Sequence, residues 1–138
     1  MSEASALVSA RVDLSKVKFP TADDKRAEVQ DAEALYDLGK KYENSNGVSQ
    51  DFRKAAELYC KAADQGYAEA QDRLGVMYMY GWGVGQNDEE AYCYFYQAYL
   101  NGYKKDIQGK LNNLERRLSS VEIERAKSRA MQTYRAIH

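Results

Sequence analysis

One 36-residue stretch of this chain is repeated once, in register and without a gap, and no other feature constrains its architecture as much. Residues 32–67, AEALYDLGKKYENSNGVSQDFRKAAELYCKAADQGY, align on residues 68–103, AEAQDRLGVMYMYGWGVGQNDEEAYCYFYQAYLNGY, with 13 of 36 positions identical. Adjacent copies at a period of this size mark units that cannot bury an apolar face alone and become stable by stacking. The identities are structural in kind. They include Ala34/Ala70, Leu38/Leu74, Gly39/Gly75, Tyr42/Tyr78, Gly47/Gly83, Val48/Val84, Ala55/Ala91, Ala62/Ala98 and Gly66/Gly102.

Within a unit, Ala34, Leu38 and Tyr42 fall at i, i+4 and i+8, one stripe of a first helix, and Ala55, Leu58, Tyr59 and Ala62 form the stripe of a second. Asn44-Ser45-Asn46-Gly47 separates them, and Tyr80-Gly81-Trp82-Gly83 does so in the second copy, where glycine allows the positive φ that ends a helix and turns the chain. Ala and Gly at stripe positions let paired helices approach closely. With a single Pro20, helix is the default reading.

The run A-x-A-x-x-x-L-G-x-x-Y, then G-x-G-V, then K-A-x-x-x-Y-x-x-A-A-x-x-G resembles the Sel1-like repeat family, with the tetratricopeptide repeat as its near rival. That rival usually has a shorter unit and no G-x-G-V. Ser45 replaces the first glycine of G-x-G-V in the first copy, and Tyr99 replaces the second alanine of the A-A pair in the second. The resemblance implies an all-α fold: an α/α solenoid of helical hairpins, about six helices in a right-handed superhelix, with a C-terminal capping helix. It also implies protein–protein interaction, with the first helix of each pair lining the concave side.

Residues 21–138 are expected to form one solenoid domain, with repeats at 32–67 and 68–103 and a degenerate repeat plus capping helix over 104–138. The register places Leu111 and Leu114 inside a helix from about Lys104 to Arg117. Ser119-Ser120-Val121-Glu122 is a capping-box signal for a last helix carrying Ile123, Ala126, Ala130, Met131, Tyr134 and Ile137 on one side. Thr21 and Asp24 suggest a similar start for a first helix running to about Glu43. Residues 1–20 read as a flexible arm; the alternative is an arm docked in a groove, given the alternation of Val12, Leu14, Val17 and Phe19.

The face opposite the first stripe carries Tyr36, Asp37, Lys40 and Asn44, and the register moves this row to Asp72, Arg73, Val76 and Tyr80, then to Gln108, Gly109, Asn112 and Arg116. A mixed polar row with exposed aromatics suits a protein or peptide ligand. The candidate partner-binding residues are Tyr36, Lys40, Asp72, Val76, Tyr80, Trp82, Gln108 and Asn112; an ordinary exposed helix face is the bland alternative. Seven of the 12 tyrosines lie in the second repeat. Tyr92, Tyr96, Tyr99 and Tyr103 make a lateral stripe that either packs on the next hairpin or forms a second, aromatic contact patch.

Chemistry-bearing motifs are scarce. The single histidine is His138, and Cys60 and Cys93 form neither a CxxC pair nor a Cys/His cluster, so no metal site, nucleophilic set or cofactor loop can be assembled. The two cysteines read as reduced helix residues, with a bridge between hairpins as the alternative. Net charge is −1, although residues 104–138 carry nine Lys or Arg against four Asp or Glu. Without a recognition motif that imbalance does not point to nucleic acid. No apolar run is long enough to span a bilayer and no signal peptide is seen, so the expected location is cytoplasmic, or periplasmic or secreted if a signal has been removed.

These features make a non-enzymatic interaction module, an adaptor or regulatory scaffold, the leading function. A self-associating structural component, possible as a homo-oligomer, is the second reading. A weak hydrolase is the third: the resemblance ties such activity to relatives with a regular cysteine pair per repeat, which this chain lacks.

Overall fold

The computed structural model describes residues 22–45 and 50–138, with side chains from Asp31 onward. The arm at 1–20, the Thr21 cap and Gly47 lie outside the described residues. Six helices follow in order: α1 (Ala22–Asn44), α2 (Phe52–Ala63), α3 (Ala68–Tyr80), α4 (Asp88–Leu100), α5 (Ile107–Glu115) and α6 (Ser120–Ile137). No strand occurs among the described residues, and none of these helices is long and apolar enough to cross a membrane.

Local sequence accounts for most of the helix starts. Asp51 accepts a hydrogen bond from the Lys54 backbone N–H at the head of α2, and Asn87 does the same for Glu90 at the head of α4. Both satisfy amide donors that a helix leaves without partners. The expected capping box of α6 is complete, with Glu122 N donating to Ser119 Oγ at 3.1 Å and Ser119 N donating to Glu122 Oε1 at 2.8 Å.

The paired helices meet through small residues. A Cβ at Gly39 would lie 2.7 Å from Tyr59 Cε1, and one at Gly75 would lie 2.5 Å from Phe95 Cε1. Tyr59 and Phe95 occupy the same repeat position, so in both units an aromatic ring of the second helix rests directly on a glycine of the first. Both rings are fully buried.

Two apolar clusters form the core. One joins Ala32, Ala55, Tyr59, Ala62, Ala70, Leu74 and Met77; the other joins Ala91, Tyr92, Phe95, Ala98, Ile107, Leu111, Leu114, Ala126 and Ala130. All four residues of the expected α2 stripe are buried. The α1 stripe behaves otherwise: Ala34 and Leu38 are exposed, while Ala32, Gly39 and Glu43 are buried. Their counterparts Ala70 and Leu74 are 0% and 2% exposed. The cause is position in the stack. That stripe seals the seam with the preceding hairpin, and α3 has one where the described part of α1 does not.

The C-terminal end is closed by polar clasps. α6 lies along α4, with Arg125 bridging Glu89 through two hydrogen bonds of 2.7 Å and Arg129 pairing with Glu90. His138 Nε2 sits 2.7 Å from Asn101 Oδ1. Ala126 and Ala130 are buried, and Ile123, Met131, Tyr134 and Ile137 are half-buried, as the helical stripe requires. α5 is shorter than the expected 104–117, because Asp106 takes a left-handed conformation (φ 56°) and starts the helix late.

Burial of tyrosines predicts a specific alkaline response. Desolvation raises the Tyr36 phenol from 10.0 to about 12, with Tyr103 adding to the shift. It also holds Tyr59, Tyr92 and Tyr94 well above the ordinary value, assisted by hydrogen bonds to Glu43 and Glu115 in the first two cases. A raised folded-state value means that the stabilisation is fully present below pH 10 and is lost as pH climbs through the folded values. Stability should therefore be level up to about pH 10 and fall steeply above it, with tyrosinate absorbance appearing together with loss of helix. Tyrosinate signal from all four rings before any unfolding would contradict this packing.

Candidate functional site

A groove of about 430 Å³ opens between α1, α3 and the segment leading into α5. Its floor is ionic. Glu43, 8% exposed, accepts a 2.6 Å hydrogen bond from the Tyr59 hydroxyl and pairs with Arg73. Asp72, 5% exposed, accepts a 2.6 Å hydrogen bond from Lys110 Nζ. A carboxylate removed from water is tolerated when a cation and hydrogen-bond donors replace its hydration. Burial lowers the tendency of Arg73 to hold its proton, but the charge and hydrogen bond of Glu43 outweigh this and its value is raised. The two pairs lace α1, α3 and α5 together beneath the groove, and the Tyr59 hydroxyl ties in α2. Tyr36, tilted against Tyr59 and Tyr67 at 5.6 and 5.2 Å between ring centroids, forms one wall, and Tyr103 lines the groove beyond the end of α4.

The sequence-derived row is distributed over four places. Tyr36, Lys40 and Asp72 line this groove, with Lys40 Nζ 4.9 Å from the centre of the Tyr36 ring. Val76 is 9% exposed and belongs to the second core cluster. Tyr80 (59% exposed) and Trp82 (39%) lie beyond it, where the Trp82 ring is stacked between Tyr80 at 5.0 Å and Phe52 at 5.7 Å. Gln108 and Asn112 are exposed and hydrogen-bonded to each other at 2.9 Å. Gln108 opens onto a different hollow of about 200 Å³, lined also by Tyr92, Tyr96 and Tyr99.

The tyrosine stripe divides as well. Tyr92, 1% exposed, donates to Glu115 Oε2 at 2.6 Å and stacks on Tyr96 at 6.1 Å, and Tyr96 meets Tyr99 at 5.7 Å. Lys127 and Lys104 sit over the Tyr96 and Tyr99 rings at 5.7 and 5.1 Å. Tyr103, past the end of α4, leaves this ladder for the inner groove. Lys105, Asp106 and Lys110 line the groove too and were not among the sequence candidates; the pairing of Lys110 with Asp72, 38 residues away, leaves no local signal. Cys60 and Cys93 are free thiols, and burial raises both.

The stacked hairpins and the groove on their first-helix side define an α/α repeat protein. The Sel1 repeat family matches residues 32–67 and 68–103, more than half of the chain, and this protein belongs to that family. Among solved structures it is similar to c5321, described as a protective antigen present in uropathogenic Escherichia coli strains displaying an SLR fold. The likeness has a TM-score of 0.72 and 30% identity and covers 75% of this chain. The chain spans 22% of the length of that protein. No curated protein matches it in sequence.

Proposed function

We propose that this protein is a non-enzymatic interaction module, an adaptor or regulatory scaffold that holds a protein or peptide segment in the inner groove. Sel1-repeat proteins generally mediate protein–protein interaction. The observation that carries the reading is the groove itself. Tyr36, Arg73 and Lys110 are supplied by the successive first helices α1, α3 and α5, and Tyr103 by the segment leading into α5, so an extended ligand would touch every unit of the stack. The Phe52–Trp82–Tyr80 stack offers an additional rigid aromatic contact at little cost in side-chain entropy.

Site-specific photocrosslinking tests this. A photoreactive residue at Lys40, Tyr103 or Tyr80 should trap a protein partner from the native source, while one at Val121, 66% exposed on α6, should not. Trapping from Val121 alone would place the interface elsewhere. A second reading, self-association, is favoured by the exposed Ala34 and Leu38 stripe. It predicts sedimentation as a dimer that Leu38→Glu reverts to monomer, and a strict monomer at high concentration removes it.

A further inference from the structure

The groove contains more hydrogen-bond donors than its own residues use. Arg73 spends one terminal nitrogen on Glu43, leaving further N–H donors on a planar guanidinium that carries five. Neither the Tyr36 nor the Tyr103 hydroxyl makes a hydrogen bond to another described side chain, although both rings line the groove beside Arg73. Burial raises both phenols; Tyr103 and Glu69 add to this at Tyr36, Asp72 and Glu69 add to it at Tyr103, and Arg73 opposes it at both, which places these groups in one neighbourhood. At the rim, Lys40 has only a loose 3.9 Å contact with Asp37, and Lys105 has no ion-pair partner among the described residues.

Charge then decides what these donors can receive. Four cations line the groove (Lys40, Arg73, Lys105 and Lys110) against three carboxylates (Glu43, Asp72 and Asp106), a net +1. Glu43 and Asp72 are already matched one for one by Arg73 and Lys110. The surplus balances a single negative charge. A dianion held near two buried carboxylates, with Glu69 also acting on both phenols, would be left under-compensated. A planar monoanion with two acceptor oxygens fits the guanidinium edge and the pair of hydroxyls.

We propose that the inner groove recognises a carboxylate of the partner polypeptide, bound between the Arg73 guanidinium and the hydroxyls of Tyr36 and Tyr103 and steered in by Lys40 and Lys105. This inference rests on the reading of the groove as the binding surface and adds the chemistry of the ligand. The carboxylate is either an Asp or Glu side chain or a free C-terminus, and both present the same two oxygens.

The probe is a fluorescent hexapeptide library, each position fixed in turn as Asp, Glu, Asn, Gln, Lys or Ala, made as free acid and as C-terminal amide. Binding to the full chain is read by anisotropy. Pools fixed as Asp or Glu should bind in preference to their amide counterparts if a side chain is recognised; loss of binding on amidation identifies a C-terminal carboxylate. Tyr36→Phe/Tyr103→Phe, which removes only the two hydroxyls, should weaken the selected peptides by about tenfold or more, as expected for hydrogen bonds to a charged group. Lys105→Gln should slow association and reduce the salt dependence.

Peptides that bind without regard to acidic groups, yet are weakened by Lys40→Glu, would overturn the carboxylate inference while leaving the groove in place. Binding untouched by all of these variants would overturn both. Absence of binding by every acidic pool also overturns the inference.

Discussion

Gly83→Ala is expected to destabilise the protein by about 3 kcal/mol. Gly83 has φ +75°, a conformation that costs a side-chain-bearing residue about 1–2 kcal/mol. Space is the larger problem. A Cβ there would lie 2.4 Å from the carbonyl carbon and oxygen of Phe52 and 2.7 Å from Arg53 N. These are backbone atoms at the head of α2, so no rotamer change relieves the clash, and overpacking of this kind costs about 1–3 kcal/mol. The α3–α4 turn would have to move away from α2, disturbing the Phe52–Trp82–Tyr80 stack. Urea unfolding should show the loss directly, with a melting temperature lower by roughly 10 °C. A variant within about 0.5 kcal/mol of the parent would show that the turn does not press on α2 as described.

Arg73→Met should cost about 3 kcal/mol, for a different reason. Methionine preserves much of the apolar stem but leaves Glu43, 8% exposed, without its cation and with only the Tyr59 hydroxyl close by. Breaking a buried pair from one side typically costs about 3–5 kcal/mol, whereas replacing both members is far milder. Arg73→Met/Glu43→Gln should therefore be more stable than Arg73→Met alone. The sign of this coupling is the test: if the double variant is less stable than the single one, Glu43 is not held by Arg73 in the folded protein. The repeat register explains why the pair exists here. Tyr59 and Glu43 correspond to Phe95 and Met79 in the second unit, so the polar pair of the first hairpin is replaced in the next by two apolar residues of the same core cluster, Phe95 within it and Met79 packed against it.

Much of the fold was legible because repeat identities are packing identities. Gly39 and Gly75 sit beneath Tyr59 and Phe95, and Ser119 with Glu122 forms the cap that their spacing announces. The site was less legible. Extending the register by another 36 residues selects Gln108 and Asn112 for the inner row, yet Lys110 is the α5 residue that reaches Asp72. The phase of α5 is set by Ile107, Leu111 and Leu114 docking in the core after the left-handed Asp106, and not by the repeat period. Val76 shows the same limit from the other side, since its place opposite the stripe suggested exposure and the neighbouring hairpin buries it.

Sequence alone determined the helical hairpins, their order, the family and the closing helix, because periodicity, glycine placement and capping act within a few residues of one another. Only the tertiary structure decided which polar side chains meet. The pairings of Glu43 with Arg73 and of Asp72 with Lys110 join residues 30 and 38 positions apart, and the groove they floor exists only once three first-helix segments lie side by side. Such contacts depend on the rotation and spacing of whole helices, which short-range pattern does not encode.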